Sequence, residues 1–228
     1  MKLTVIGRYG PYAKGGGATS CYLVEEKNTR IVLDMGAGTL SRLLSRVDIR
    51  DIDAIFISHL HYDHTSDLLP LRYLLDEVGV PITIYTNYSE GEWYRLLFTH
   101  PLINAVNVDE NSDITLKDVR LSFFKLEHPV TDYAIKIQSE KTIVYTGDTV
   151  YCDNLIKAAR GADLIVADCA KPIGFTGPHM TVDKAVELYK ETGTKILASH
   201  LGADYSPEEY FLPYPDILVA EEGFTYEV

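Results

Sequence analysis

The chain reads as a mixed α/β fold, and three observations carry that reading. Short β-branched or alternating runs, bounded by glycine or polar turn residues, fill the first third; apolar residues at helical spacing follow them; and the last third alternates helix and strand patterns. Alternation of this kind puts helices on the faces of a sheet rather than in a bundle. With 228 residues, 46% of them apolar and 24% charged, the chain can bury a sizeable core and is far from the composition of a disordered or fibrous protein. No composition shift, repeat or linker interrupts it, so residues 1–228 are expected to form a single domain.

In order, strands are expected over Leu3 to Arg8, Cys21 to Glu26 and Arg30 to Asp34. Between the first two, Gly10, Pro11, Gly15, Gly16 and Gly17 mark a loop that turns sharply or approaches another group closely. Helical spacing covers Thr39 to Arg46, and again Ser66 to Val78, where Leu68, Leu69, Leu71, Leu74 and Leu75 form an apolar stripe. The apolar run Ile52 to Ile57 lies between them. Further strands are expected over Ile82 to Thr86, Val119 to Leu126, Ala134 to Ile137 and Thr142 to Tyr145, with a helix around Glu92 to Phe98. Helix Asp153 to Ala159, strand Asp163 to Asp168, helix Val182 to Glu191 and strand Lys195 to Ala198 complete the pattern.

Charge and cysteine content narrow the function classes. Lys and Arg number 21 against 33 Asp and Glu, and a net charge of −12 is a poor match for an extended phosphate backbone. Extended nucleic acid is therefore disfavoured as a partner. No signal-peptide pattern opens the chain, and no apolar run approaches the roughly 20 residues of a membrane helix, so no membrane partner is expected. Cys21, Cys152 and Cys169 lack CxxC spacing, which fits a reducing, cytoplasmic setting better than a disulfide framework.

The strongest signal is Ser58-His59-Leu60-His61-Tyr62-Asp63-His64, which follows the apolar run directly. His59 and His61, two apart on an extended strand end, point to one side and suit one cation. Asp63 and His64 fall where the chain turns into a helix, displaced toward a second cation. The remaining ligands should come from other strand ends: His128 after Leu121 to Leu126, Asp148 after Thr142 to Tyr145, and His200 after Lys195 to Ala198. Asp148 is the expected bridge, because a carboxylate has two oxygens to share. One cation is then expected at His59, His61, His128 and Asp148, and the other at Asp63, His64, His200 and Asp148. Nitrogen-rich ligation points to two zinc ions, with manganese or iron as alternatives.

These residues, in this order, resemble the metallo-β-lactamase superfamily, whose pattern H-x-H-x-D-H followed by His, Asp and His they match from the first strand to His200. The resemblance implies a four-layer αββα sandwich with a binuclear site at one edge. Within the superfamily the chain is similar to the ribonuclease Z group of phosphodiesterases. That likeness rests on the glycine-rich first loop leading to Ser20-Cys21-Tyr22-Leu23, on Ile31-Val32-Leu33-Asp34-Met35-Gly36, and on Pro178-His179-Met180-Thr181 before the last helix. In that group the late His, here His179, assists the leaving group or contacts phosphate. Asp168 stands where the group has a Glu that orients this His. The group's tRNA-binding arm has no place here, since His128 and Asp148 are only twenty positions apart.

Together these features lead to a metal-dependent hydrolase. A bound cation lowers the pKa of water from about 15.7 to about 7, and a hydroxide shared by two cations could attack phosphorus. The expected substrate is a small or nucleotide-like phosphodiester, with Asp63, His179 and Asp168 as the catalytic side chains and a homodimer as the expected assembly. The alternatives are a tRNA 3′-processing endoribonuclease, a lactone or thioester hydrolase, and a metal-stabilised binding module without turnover. His100 has no motif around it and is expected to be an ordinary surface or core residue.

Overall fold

The computed structural model describes residues 1–87, 89 and 91–228. The chain opens with strands β1 (Lys2–Gly7), β2 (Cys21–Glu26) and β3 (Thr29–Leu33), then helix α1 (Leu40–Leu44) and strand β4 (Ala54–Phe56). Helices α2 (Tyr62–Thr65) and α3 (Leu68–Val78) lead to β5 (Ile82–Thr86), α4 (Glu92–Phe98) and β6 (Ile103–Asn107). Four strands follow: β7 (Asp113–Leu116), β8 (Val119–Leu126), β9 (Asp132–Gln138) and β10 (Thr142–Tyr145). Helix α5 (Asp153–Ala159), β11 (Leu164–Asp168), α6 (Val182–Thr192), β12 (Lys195–Ser199), α7 (Glu208–Phe211), β13 (Ile217–Val219) and β14 (Thr225–Glu227) complete the chain.

Among the described residues the strands form two seven-stranded mixed sheets, in the orders β14-β1-β2-β3-β4-β5-β6 and β13-β12-β11-β10-β9-β8-β7. Each sheet is half antiparallel and half parallel: β3 to β6 run parallel in the first, and β10 to β13 in the second. Parallel neighbours need crossovers, and the helices in those crossovers cover the outer face of each sheet.

Residues alternate between two apolar layers at the period of a strand. Ala54 and Phe56 of β4 face the layer between the sheets, while Ile55 and Ile57 face the helices. On the second sheet, Ile143 and Tyr145 of β10 meet that same inner layer, and Val144 packs outward. Phe56 and Phe123 meet across the middle with ring centroids 5.7 Å apart. Outside the first sheet, Leu43, Leu68, Leu71, Leu75 and Phe98 of the helices join Ile55 and Val32. Outside the second, Leu155, Val186 and Leu188 join Ile165 and Ile196. The layers are helix, sheet, sheet, helix, as the resemblance implied.

This architecture sets the position of the site. Asp34 follows β3, the His59 to His64 segment follows β4, Asp148 follows β10, Asp168 ends β11 and His200 follows β12. All of these are the carboxyl ends of parallel strands, where open α/β sheets place their ligands. His128 follows β8 and completes the cluster from the antiparallel half. The stretch between His128 and Asp148 is taken up by β9 and β10, which pair antiparallel, so there is no room in it for a projecting arm. Among the described residues no helix is long and apolar enough to cross a membrane.

Candidate metal centre

Strand β4 ends at Phe56, short of His59, so the two histidines lie on the extended connection after the strand. Their spacing still brings them together: His59 Nε2 is 3.0 Å from His61 Nδ1, and His128 Nε2 is 3.2 Å from the same His61 atom. Asp148 Oδ2 stands 3.6 Å from His59 Nε2 and 4.0 Å from His128 Nε2. On the other side of Asp148, His64 Nε2 is 3.3 Å from Oδ1 and His200 Nε2 is 3.3 Å from Oδ2. Asp63 Oδ2 closes that second group at 3.5 Å from His64 and 3.7 Å from His200. Every sequence-predicted ligand is therefore brought into one of two clusters that share Asp148, with the donor atoms of each cluster within 4.8 Å of one another.

The spacing fits metal coordination. Four ligand atoms at the usual distances from a tetrahedral zinc ion stand about 3.3 Å from one another. His64 Nε2 and Asp148 Oδ1 are both buried and have no hydrogen-bond partner among the described residues. Two lone-pair atoms aimed at the same space, in a surround of nitrogen and carboxylate donors, are what a divalent cation satisfies.

His61 faces the cluster through Nδ1, whereas in His59, His64, His128 and His200 Nδ1 is the outer nitrogen and has a partner of its own. His59 Nδ1 lies 2.7 Å from Asp132 Oδ2 and 3.0 Å from Ser58 Oγ, while His64 Nδ1 donates to Asp34 at 2.6 Å and His128 Nδ1 to the Pro178 carbonyl at 3.1 Å. His200 Nδ1 pairs with Ser20 Oγ at 3.1 Å. These bonds select the tautomer whose Nε2 lone pair faces the cluster. Asp34 is itself anchored by Ser58 N and Oγ, both at 2.8 Å, and by the Tyr145 hydroxyl at 2.5 Å. Sequence reasoning assigned no role to Asp34 or Asp132. Asp34 carried a signal, since it ends a strand just before Met35-Gly36; Asp132, alone at the start of a strand, carried none.

Backbone geometry reinforces the placement. Asp34 and His200 both have φ of 55°, in the left-handed region that costs a non-glycine residue roughly 1–2 kcal/mol. Gly10 lies so close to His200 that a Cβ there would sit 2.0 Å from the imidazole, which explains the close approach expected of the first loop. Gly147, with φ of 62°, turns the chain into Asp148, and a Cβ there would meet both Asp132 carboxylate oxygens at 2.7 Å.

Electrostatics follow from burial and crowding. Burial, reinforced by neighbouring His64, lowers the pKa of His59 to about 4, and burial likewise lowers that of His128 to about 4, so both rings are neutral ligands near pH 7. Burial works against a charge on His64, but the Asp148 and Asp34 carboxylates outweigh it and raise its pKa well above the ordinary value. The cluster thus calls for positive charge at that point. Burial would raise the pKa of Asp63, yet His64 and His200 hold it at about 2. Burial, with Asp148 nearby, pushes Asp132 well above the usual carboxylate range.

His179 and Asp168 form a separate couple at the edge of the cluster. His179 Nδ1 is 2.9 Å from Asp168 Oδ2, and its ring stacks on His200 with centroids 5.2 Å apart. Burial disfavours charge on His179, but the hydrogen bond to Asp168 prevails and raises its pKa. Asp168 is fixed in turn by the backbone N–H groups of Thr149 at 3.2 Å and Ala170 at 3.0 Å. His100 lies apart from all of this and pairs with Asp76 at 3.2 Å.

Comparison with known proteins agrees with the geometry. The profile of the Beta-lactamase superfamily domain matches residues 29–200. YhfI of Bacillus subtilis, which bears the name probable metallo-hydrolase, is 32% identical over 243 residues covering 100% of both chains. Its crystal structure aligns with a TM-score of 0.92 at 28% identity, over 100% of this chain and 99% of that one. A ribonuclease Z of Methanopyrus kandleri is 30% identical over 255 residues, 90% of each chain. The short form of human tRNase Z shares the fold, with a TM-score of 0.81 at 18% identity over 100% of this chain and 99% of its own. The matched profile, the full-length relatives and the paired His and Asp clusters lead to one conclusion: the chain belongs to the metallo-β-lactamase superfamily.

Proposed function

We propose that this metallo-hydrolase cleaves small or nucleotide-like phosphodiesters at a two-cation site. The observation that carries the reading is the Asp168–His179 couple, 2.9 Å apart and set beside two four-ligand clusters that share Asp148. Under this reading His59, His61, His128 and Asp148 hold one divalent cation, and Asp63, His64, His200 and Asp148 hold the other. Zinc suits the nitrogen-rich set, with manganese or iron as alternatives. Such cations supply a nucleophile from water near neutral pH and neutralise charge on a phosphoryl group.

The protein's own groups do the rest. His179, held through Nδ1 by Asp168, has Nε2 left to carry a proton for the departing oxygen, which an alkoxide leaving group needs. Asp34 and Asp132 keep the His64 and His59 rings aimed at the cluster. The name of the Methanopyrus relative, a ribonuclease, belongs to phosphodiester chemistry. The net charge of −12 and the two-strand connection between His128 and Asp148 favour a small substrate over a folded RNA.

The test is hydrolysis of bis(p-nitrophenyl) phosphate by metal-loaded protein, beside a thioester and a lactone. Phosphodiester turnover that a chelator abolishes, and that falls at least a thousandfold in Asp148→Ala, is the expected result. Turnover confined to thioester or lactone would transfer the site to acyl chemistry, and bound metal without turnover would make it a binding module.

A further inference from the structure

Tyr62 stands between the histidines His59 and His61 and the pair Asp63 and His64, yet its own side chain is 65% exposed. Its ring meets Trp93 edge to face, with centroids 4.7 Å apart and planes at 75°. In that arrangement, whichever ring offers its edge keeps both of its faces uncovered by the other. Tyr62 also borders two recesses. One, of about 380 Å³, contains Asp63 of the candidate metal centre together with Tyr12, which is 62% exposed, and Lys14. The other, of about 870 Å³, contains Trp93 and Arg95. Lys14 and Arg95 have no carboxylate partner among the described residues. On a chain of net charge −12, Lys14, which lies over the Tyr9 ring, and Tyr12 thus share a recess with Asp63 of the candidate centre, and Tyr62 joins that recess to a second one where Arg95 and Glu92 stand beside Trp93.

We propose that the Tyr62–Trp93 pair is the base-stacking shelf of a nucleoside subsite, so that the substrate is a phosphodiester carrying a nucleobase next to the scissile group. The inference rests on the phosphodiesterase reading of the same centre and adds what lies on one side of the phosphate. A planar base gains from an aromatic face whatever its hydrogen-bonding edge, and cations with no carboxylate partner among the described residues favour an anionic ligand. Tyr62 lies at the first position of α2, between His61 and Asp63, so its half of the shelf is fixed relative to the candidate ligands, while Trp93 meets it from α4.

Trp93 is the only tryptophan in the sequence, which makes its emission a direct reporter of the shelf. Protein with a divalent cation added is titrated with thymidine 5′-monophosphate and, separately, with ribose 5-phosphate. Saturable quenching by the first and not by the second is expected; no difference between them overturns the proposal. In a second arm, thymidine 5′-(p-nitrophenyl) phosphate and methyl p-nitrophenyl phosphate, which share a leaving group, are compared as substrates. Loss of one stacking ring should lower the ratio of their kcat/KM values roughly 5- to 150-fold in Tyr62→Leu. Tyr62→Phe, which keeps the ring, should retain the ratio. An unchanged ratio in Tyr62→Leu overturns the shelf even if both esters are cleaved, leaving the phosphodiesterase reading intact. Base-dependent quenching without hydrolysis of either ester supports the shelf and removes the phosphodiesterase reading.

Discussion

Asp132 reaches His59 from β9, on the sheet opposite the one that carries the histidine, and holds its Nδ1 at 2.7 Å. Replacing the carboxylate by an amide of the same shape lets the side chain offer N–H instead of oxygen, which favours the wrong imidazole tautomer. Asp132→Asn should therefore weaken metal binding by roughly 10–100-fold, read by competition with a chromogenic chelator. Unaltered affinity would mean that Ser58 Oγ, 3.0 Å from the same nitrogen, and packing orient His59 without the carboxylate. The contrast between legible and illegible residues has a physical basis here. His59, His61, Asp63 and His64 are neighbours in sequence, so their shared purpose shows in the string itself. His128, Asp148 and His200 show because each follows a strand. Asp34 and Asp132 act through partners distant in sequence, His64 and Tyr145 for one and His59 for the other, and a solitary aspartate beside a strand looks like any turn residue.

Among the elements, α3 shows how local pattern became packing. The leucine stripe expected over this segment is present, with Leu68, Leu71 and Leu75 fully buried against Ile55 and Ile84 of the first sheet. Leu71→Ala removes a side chain from a filled layer and should cost about 2–5 kcal/mol in denaturant unfolding. Because Leu71 belongs to the apolar layer outside the first sheet, metal stoichiometry should be unchanged; a fall in stoichiometry would show that α3 braces α2. The strands that sequence patterns missed are β6, β7, β13 and β14, and each is an edge of its sheet. An edge strand has a neighbour on one side only and is less deeply covered, so it lacks the continuous apolar run that reveals a central strand. Here β7 and β14 contain no buried residue, while β6 and β13 contain one each, Ile103 and Ile217.

At the level of the whole molecule, the candidate ligands come from both sheets and lie at one end of the seam between them. Cations bound there would stabilise only the folded arrangement, by about 4 kcal/mol at a thousandfold excess over the dissociation constant. For a chain of this size, chelation should lower the melting temperature by roughly 8–16 °C in scanning calorimetry. A melting temperature indifferent to chelator, in protein shown to have held metal beforehand, would mean that the layers are aligned without help. The division of ligands is even. His59 and His61 on one sheet meet His128 and Asp148 on the other, while Asp63 and His64 meet Asp148 and His200. In neither four-ligand cluster does one half of the chain supply all four side chains. A slip of one sheet against the other would be felt at once as lost coordination, so metal affinity serves as a gauge of how truly the two halves are registered.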